Sequence, residues 1–436
     1  MGSVQRPAYG KTKGERKMST EYLEKRRRAV WEQMEEGSIA VIYSGVEIHV
    51  SEDEYMDFEV NKDFRYLTDI ARDNMALLLD KTEKEPKYLL FIEEADPTME
   101  KWFGKKLTKK EASEISGING VYYIDSLPRS LTSYAKMGKI RSIYFDMCRQ
   151  DYEDMPDYNE VKAKEFKERF PGVPMQNLYN ITSLLRMKKD EEEVKRIRHA
   201  VDMTGKGLEE VMKRLEPGMK EYQAQAIYEA TIKYLGSSGP SFPTIAGSGY
   251  NGTMLHYETN QCDCEDGSLL LLDLGSKADG WCSDITRTYP VNGKYTERQK
   301  AVYDVVLAAN RKVAESAKPG MTLGKLNEIC EEVLAEGCKK LGLIKENSEL
   351  EKYYMHGVSH HVGLDVHDCY HSKGKELVAG CVITNEPGLY IEEESIGIRI
   401  EDDLLITETG CEVLSKDIIK TTEEIEAFMA NHKVNK

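Results

Sequence analysis

Four carboxylates and a cluster of histidines in the second half of the chain are the residues whose types and spacing could do chemistry. In LLDLGSKADGWCSD, Asp273 and Asp284 lie symmetrically about Lys277–Gly280. A hairpin in that register sets them directly opposite each other on one face. Two ionised carboxylates that close repel, so one keeps its proton or a cation lies between them, unless both simply face solvent. MHGVSHHVGLDVHD, residues 355–368, holds four of the nine histidines, His356, His360, His361 and His367; with His256 and His371, six of nine fall between 256 and 371. A neutral imidazole offers a lone pair near pH 7 and serves as metal ligand or proton carrier. Glu386 precedes Pro387 and Gly388 in TNEPGLY, a pair that stops a strand just after the carboxylate. In GIRIEDD, strand alternation puts Arg399 and Glu401 on one face and Ile398 and Ile400 on the other. A glutamate buried in an apolar strand needs a metal or an arginine as companion. Asp402 and Asp403 read as solvated strand-exit residues, and His49, His199, His371 and His432 as ordinary core or surface histidines.

The elements that must position these residues show as periodicities. Helical spacing runs from Glu21 to Met34, followed by strand-like SIAVIY (38–43), NMALLL (74–79), KYLLFI (87–92), VYYI (121–124) and SIYF (142–145). Charged helical or loop segments separate them, which predicts a small α/β domain. Turn formers cluster at PGVP (171–174), and an acidic first turn opens a helix near Asp190, so the domain boundary is expected near residue 178. Residues 178–436 carry helical segments at about 190–215, 219–235, 296–317 and 322–341, with strand-like runs at 268–274, 284–291, 382–386 and 397–406. That is an α+β pattern, and two helix pairs each followed by strands suggest a distant internal duplication. Residues 1–17 are basic and aperiodic, an expression tag or a natural disordered extension; residues 18–177 form the N-terminal domain.

Composition narrows the function classes. A chain of 436 residues with 40% hydrophobic and 31% charged residues can bury substantial cores. A formal net charge of −16 excludes broad attraction to nucleic acid or anionic membranes. No apolar run approaches the roughly 20 residues that span a bilayer. Nine cysteines, eight of them after residue 260, lack the paired spacings of a disulfide framework or zinc ribbon, which fits a reducing, cytoplasmic setting. Cys262 and Cys264 read as free thiols near a loop.

Asp273, Asp284, His360, Glu386 and Glu401, in that order and within DLG, SDITRTYPV, HGVSHHVGLDVHD, NEPGLY and GIRIEDD, resemble the ligand motifs of the pita-bread metallopeptidases, specifically the Xaa-Pro aminopeptidases (aminopeptidase P). GSGYNGTMLHY around His256 belongs to the same pattern, and NKDFRYLT and KWFGKKL resemble that family's N-terminal domain. The resemblance implies an α/β N-terminal domain plus an α+β C-terminal pita-bread domain with a curved antiparallel sheet. It implies two divalent metal ions: Asp273 chelates one, Asp284 and Glu401 bridge both, and His360 with Glu386 completes the second. Oxygen ligands with one imidazole suit Mn²⁺ and admit Co²⁺ or Zn²⁺; family grounds select manganese. The implied reaction is release of the N-terminal residue from peptides with proline second, by a hydroxide held between the metals. His367 would steady the tetrahedral intermediate, His356 would stand near the proline pocket, and His256 would be a third active-site histidine. Arg399 would lie beside metal and substrate, and Glu386 would also carry a proton. Trp102 would reach a neighbouring subunit's site, making the enzyme a homodimer or homotetramer, with a core tryptophan as the alternative. Glu59-Val60, Asp69 and His361 depart from the usual pattern, His361 making the wall beside the site more polar. Two rivals remain: a prolidase, restricted to dipeptides, and a non-catalytic binding protein on the same fold, against which all five ligand candidates stand.

Overall fold

Ser19 accepts a hydrogen bond from the Glu21 N–H and opens helix α1, Thr20–Gln33, where helical spacing predicts one. The computed structural model describes residues 18–136, 138–371 and 375–433; the leader of residues 1–17 lies outside the described residues. The chain divides after Arg186 into two units, each with its own core. In the first, strands β1 (Ser38–Tyr43), β2 (Ala76–Lys81), β3 (Lys87–Ile92), β4 (Gly120–Tyr123), β5 (Ser142–Phe145) and β6 (Met175–Asn177) form one sheet in the order β4-β3-β2-β1-β5-β6. β1 pairs antiparallel with β2 and parallel with β5. Both β1 and β2 are buried along their whole length, which is why they read as apolar runs rather than alternating ones. β6 is three residues, two of them polar, and leaves no such signal. The helix Tyr179–Met187 follows it, tied into this unit by the buried pair of Arg186 and Asp63 at 2.9 Å.

The second unit packs two helix pairs against antiparallel strands. Asp190 caps α2 (Glu191–Arg214), with Glu193 completing the capping box. α2 packs on α3 (Glu221–Tyr234), and α4 (Glu297–Ser316) on α5 (Leu323–Lys340). Strands β7 (Ile245–Ser248), β8 (Leu269–Leu274) and β11 (Ile285–Pro290) form one sheet, with β8 in the middle. Between β8 and β11 project two short strands, β9 (Lys277–Ala278) and β10 (Trp281–Cys282). Asp279 and Gly280 both have positive φ, 51° and 94°, the two-residue turn whose twist matches a hairpin. That turn sets the register two residues away from the symmetric one: Asp273 faces Thr286, not Asp284. Because the slip is even, Asp284 stays on the Asp273 face. Trp281, wholly buried, lies under the Arg196 guanidinium at 4.6 Å and donates to Glu193 at 3.3 Å, anchoring the hairpin tip on α2.

The expected strand 397–406 is two strands in two sheets. β14 (Ile396–Arg399) pairs with β13 (Gly388–Ile391), and β15 (Asp402–Ile406) pairs with β12 (Val382–Asn385) and β16 (Cys411–Val413). Asn385 faces Asp402 and Gly388 faces Arg399; the same register carried across the gap sets Glu386 against Glu401. Asp402 and Asp403 are not solvated but wholly buried. Asp402 accepts from Arg287, Ser415 and Lys420, and Asp403 from the Asp284 N–H at 3.1 Å. For Asp402, charge pairing in the interior, invisible to strand periodicity, outweighs the usual exposure of an aspartate. No helix among the described residues is long and apolar enough to cross a membrane.

Candidate metal centre

Strand ends deliver the carboxylates to one cavity of about 520 Å³, lined by Asp273, Asp284, Glu386 and Glu401 together with His256, His356, His360, His367 and Arg399. All nine sequence-derived candidates of this unit thus converge. One ligand atom each of Asp284, His360 and Glu401 lies within 4.8 Å of the others. His360 Nε2 stands 3.4 Å from Asp284 and 3.6 Å from Glu386. Its other ring nitrogen, Nδ1, is 3.1 Å from the His361 carbonyl. A carbonyl can only accept, so Nδ1 carries the proton and Nε2 presents its lone pair to the carboxylates, the tautomer a metal ligand needs.

The other contacts orient the carboxylates. Arg399 donates to Asp273 Oδ2 at 2.6 Å, to Tyr390 Oη at 2.8 Å and to Thr286 Oγ1 at 3.1 Å. Thr286 donates to Glu401 at 2.6 Å, and Thr384 to Glu386 at 3.3 Å. Buried Oδ1 atoms of Asp273 and Asp284 have no hydrogen-bond partner, which costs free energy unless a cation takes the lone pairs. Hard oxygen donors with one imidazole fit a divalent ion of the manganese, cobalt or zinc kind.

Electrostatics agree. Burial first, then Asp273 and Asp403, pushes the Asp284 carboxyl well above the usual range; burial, then Asp284 and Glu386, does the same to Glu401. Burial also raises Glu386, against the opposing pull of His360 and Arg399, and pushes Asp403 up to about 8. Burial opposes the Arg399 charge, but Tyr390, Asp273 and Glu401 outweigh it and hold the guanidinium ionised. One arginine cannot neutralise four carboxylates, whereas bound dications would invert these shifts.

The histidines divide by role. Burial and the nearby Arg399 push His356 down to about 4, so it is neutral at working pH. Its Nδ1 faces the Gly357 carbonyl and its Nε2 the Tyr390 hydroxyl, both at 2.9 Å, which continues a chain from Asp273 through Arg399 and Tyr390 to His356. His367 stands edge-on to His360 with ring centroids 4.3 Å apart, and burial, then His360, lowers its pKa. His256 is exposed at the cavity wall. His361 is buried, with its pKa pushed by burial down to about 4, and does not line the cavity. Tyr390 and Thr286 escaped the sequence reading, although Tyr390 closes the same NEPGLY segment and Thr286 follows Asp284 by one strand period. Trp102, on a short helix of the N-terminal unit, is 80% exposed, so it is no core residue.

Known proteins resemble the chain along nearly its whole length. The model of metallopeptidase family M24 matches residues 195–408, and that of the aminopeptidase P N-terminal domain matches residues 23–144. The chain is 33% identical over 434 residues to Xaa-Pro aminopeptidase of Escherichia coli (strain K12), covering 94% of this chain and 98% of that one. It superposes on a Bacillus anthracis protein assigned as an aminopeptidase P with a TM-score of 0.93 at 42% identity, over 96% of this chain and 100% of that one. Against E. coli aminopeptidase P with the inhibitor Pro-Leu, the TM-score is 0.88 at 33% identity, over 96% and 99%.

Proposed function

Because the chain belongs to the Xaa-Pro aminopeptidases of metallopeptidase family M24, we propose that Asp273, Asp284, His360, Glu386 and Glu401 hold two divalent ions, manganese by preference, around which it removes the residue preceding a proline. The chain is a metal-dependent exopeptidase of pita-bread fold. The observation that carries the assignment of residues is the approach of Asp284, His360 and Glu401 to within 4.8 Å around buried carboxylate oxygens without partners.

Bound divalent ions supply Lewis acidity toward the scissile carbonyl and lower the pKa of water into the neutral range. The protein's own groups do the rest. Arg399 orients Asp273 through its 2.6 Å charge-assisted bond. Glu386, whose carboxyl burial raises, is matched to accept a proton and return it to the departing amine. His367, whose pKa burial lowers, and His256 offer N–H donors at the cavity wall to the oxygen on which charge develops. Phe242, Ile245, Leu255 and Val366 supply apolar lining that suits a proline ring, and Tyr390 fixes His356 of the same cavity through a 2.9 Å bond.

The test is release of the first residue from Arg-Pro-Pro and from Gly-Pro by chelated protein, with and without Mn²⁺. Metal-dependent cleavage of the tripeptide is expected. Cleavage of the dipeptide alone would replace this reading with a prolidase, and no cleavage with any divalent metal would favour a binding module.

Exposed Trp102 supports a homo-oligomer, dimer or tetramer, in which it lines a neighbour's proline pocket. Trp102→Ala is then expected to raise KM for proline peptides about 10-fold, the scale of one aromatic side chain's burial. Bound metal, measured by elemental analysis, should not change; an unchanged KM returns Trp102 to plain surface.

A further inference from the structure

Two strand pairs, β12/β15 and β13/β14, share one register but are separate ladders, and the gap between them carries Glu386 opposite Glu401. Pro387 is the reason for the gap. The Ile400 N–H donates to the Pro387 carbonyl at 3.2 Å, but proline has no N–H to return, so the Ile400 carbonyl loses its strand partner. The missing donor comes from Asn310, wholly buried on α4. Its Nδ2 donates to the Ile400 carbonyl at 3.3 Å and to the Asn385 carbonyl at 3.2 Å. Those two residues immediately precede Glu401 and Glu386. The Asn310 amide cannot turn round, because Lys420 Nζ donates to its Oδ1 at 2.9 Å. The same ammonium donates to Asp402, the residue after Glu401, and Asn385 Nδ2 returns a bond to the Asn310 carbonyl at 2.8 Å.

We propose that Asn310, oriented by Lys420, is a positioning residue that fixes the separation of Glu386 and Glu401 and so the affinity of the centre for its ions. This rests on the two-ion reading above. Asn310 touches neither ion nor peptide; it acts by holding both glutamate-bearing strands where Pro387 has interrupted their ladder. A clamp of this kind restricts the backbone on both sides of the ions, and ligand orientation of that sort is commonly worth 10- to 100-fold in metal affinity.

The test titrates Mn²⁺ into chelated wild type, Asn310→Ala and Val306→Ala by calorimetry, with melting temperatures recorded metal-free. Val306, one turn earlier on α4 and wholly buried, is the control for loss of stability alone. Asn310→Ala is expected to weaken Mn²⁺ binding at least 10-fold and to shift the visible absorption of the Co²⁺-loaded protein. Val306→Ala should change affinity less than twofold at a similar loss of melting temperature and leave the Co²⁺ bands in place. Should Asn310→Ala fail to fold, Lys420→Gln, which frees the amide to turn, is expected to weaken binding about 3- to 10-fold. Equal affinities in Asn310→Ala and Val306→Ala, or wild-type affinity in folded Lys420→Gln, would overturn the proposal. Wild-type protein that binds no divalent ion would instead overturn the two-ion reading.

Discussion

Glu401→Gln should lower kcat/KM for a proline tripeptide by about 10³-fold or more while raising the melting temperature of the metal-free protein. The activity loss follows from removing a charged donor that faces Glu386 across the strand gap and lies within 4.8 Å of the Asp284 and His360 donors. Metal assistance contributes several kcal/mol to such a hydrolysis, and about 4 kcal/mol is roughly 10³-fold in rate. The stability gain has the opposite origin. Without ions, Glu401 is buried with its carboxyl pushed well above the usual range by burial and by Asp284 and Glu386, so above the unfolded pKa it opposes folding. Glutamine keeps the volume and an oxygen for the 2.6 Å bond from Thr286 while removing the charge. Each kcal/mol so relieved raises the melting temperature by about 2–4 °C for a unit of this size. Calorimetry at pH 8 in chelator, beside peptide release in Mn²⁺, reads both effects. Full activity would remove Glu401 from the site; a lower metal-free melting temperature would mean that Glu401 contributes packing rather than repulsion.

The proposed ligands stood out in the sequence because their types are few and their motifs dense; their mutual placement did not. Asp273 and Asp284 could be put on one sheet face from parity alone, but the register depends on the turn at Asp279 and Gly280, whose positive φ values shift the partner of Asp273 to Thr286. Glu386 looked like a strand end, and it is one. Glu401 looked like the middle of a strand, whereas the chain changes sheets there. Periodicity reports which face a residue takes and is blind to which strand lies beside it. Asp402 and Asp403 were misread for a related reason. Their partners Arg287, Lys420 and the Asp284 N–H come from distant parts of the chain, and only those partners make burial tolerable. The long helices of both pairs, set by caps such as Asp190 and Thr296, were readable to within two residues, since capping and amphipathic spacing are local.

Metal removal should change not only activity but also how stability depends on pH. In the metal-free fold, burial and mutual repulsion raise Asp284, Glu386 and Glu401, and burial pushes Asp403 up to about 8. The folded state therefore binds more protons than the unfolded chain between the ordinary carboxyl range near pH 4 and these raised values. Stability falls with pH wherever the native state binds the extra protons, so their contribution is present in acid and is lost as pH rises toward about 8. Divalent ions compete with those protons and bind more tightly as the carboxyls ionise, so the stabilisation they add grows over the same window. Titrating groups remote from the cavity are common to both forms and cancel in the difference. Melting temperatures of chelated and Mn²⁺-saturated protein, measured from pH 5.5 to 8.5, should thus diverge steadily, with the gap widening toward high pH. A gap that stays constant across the window would mean that the ions do not bind at these carboxylates.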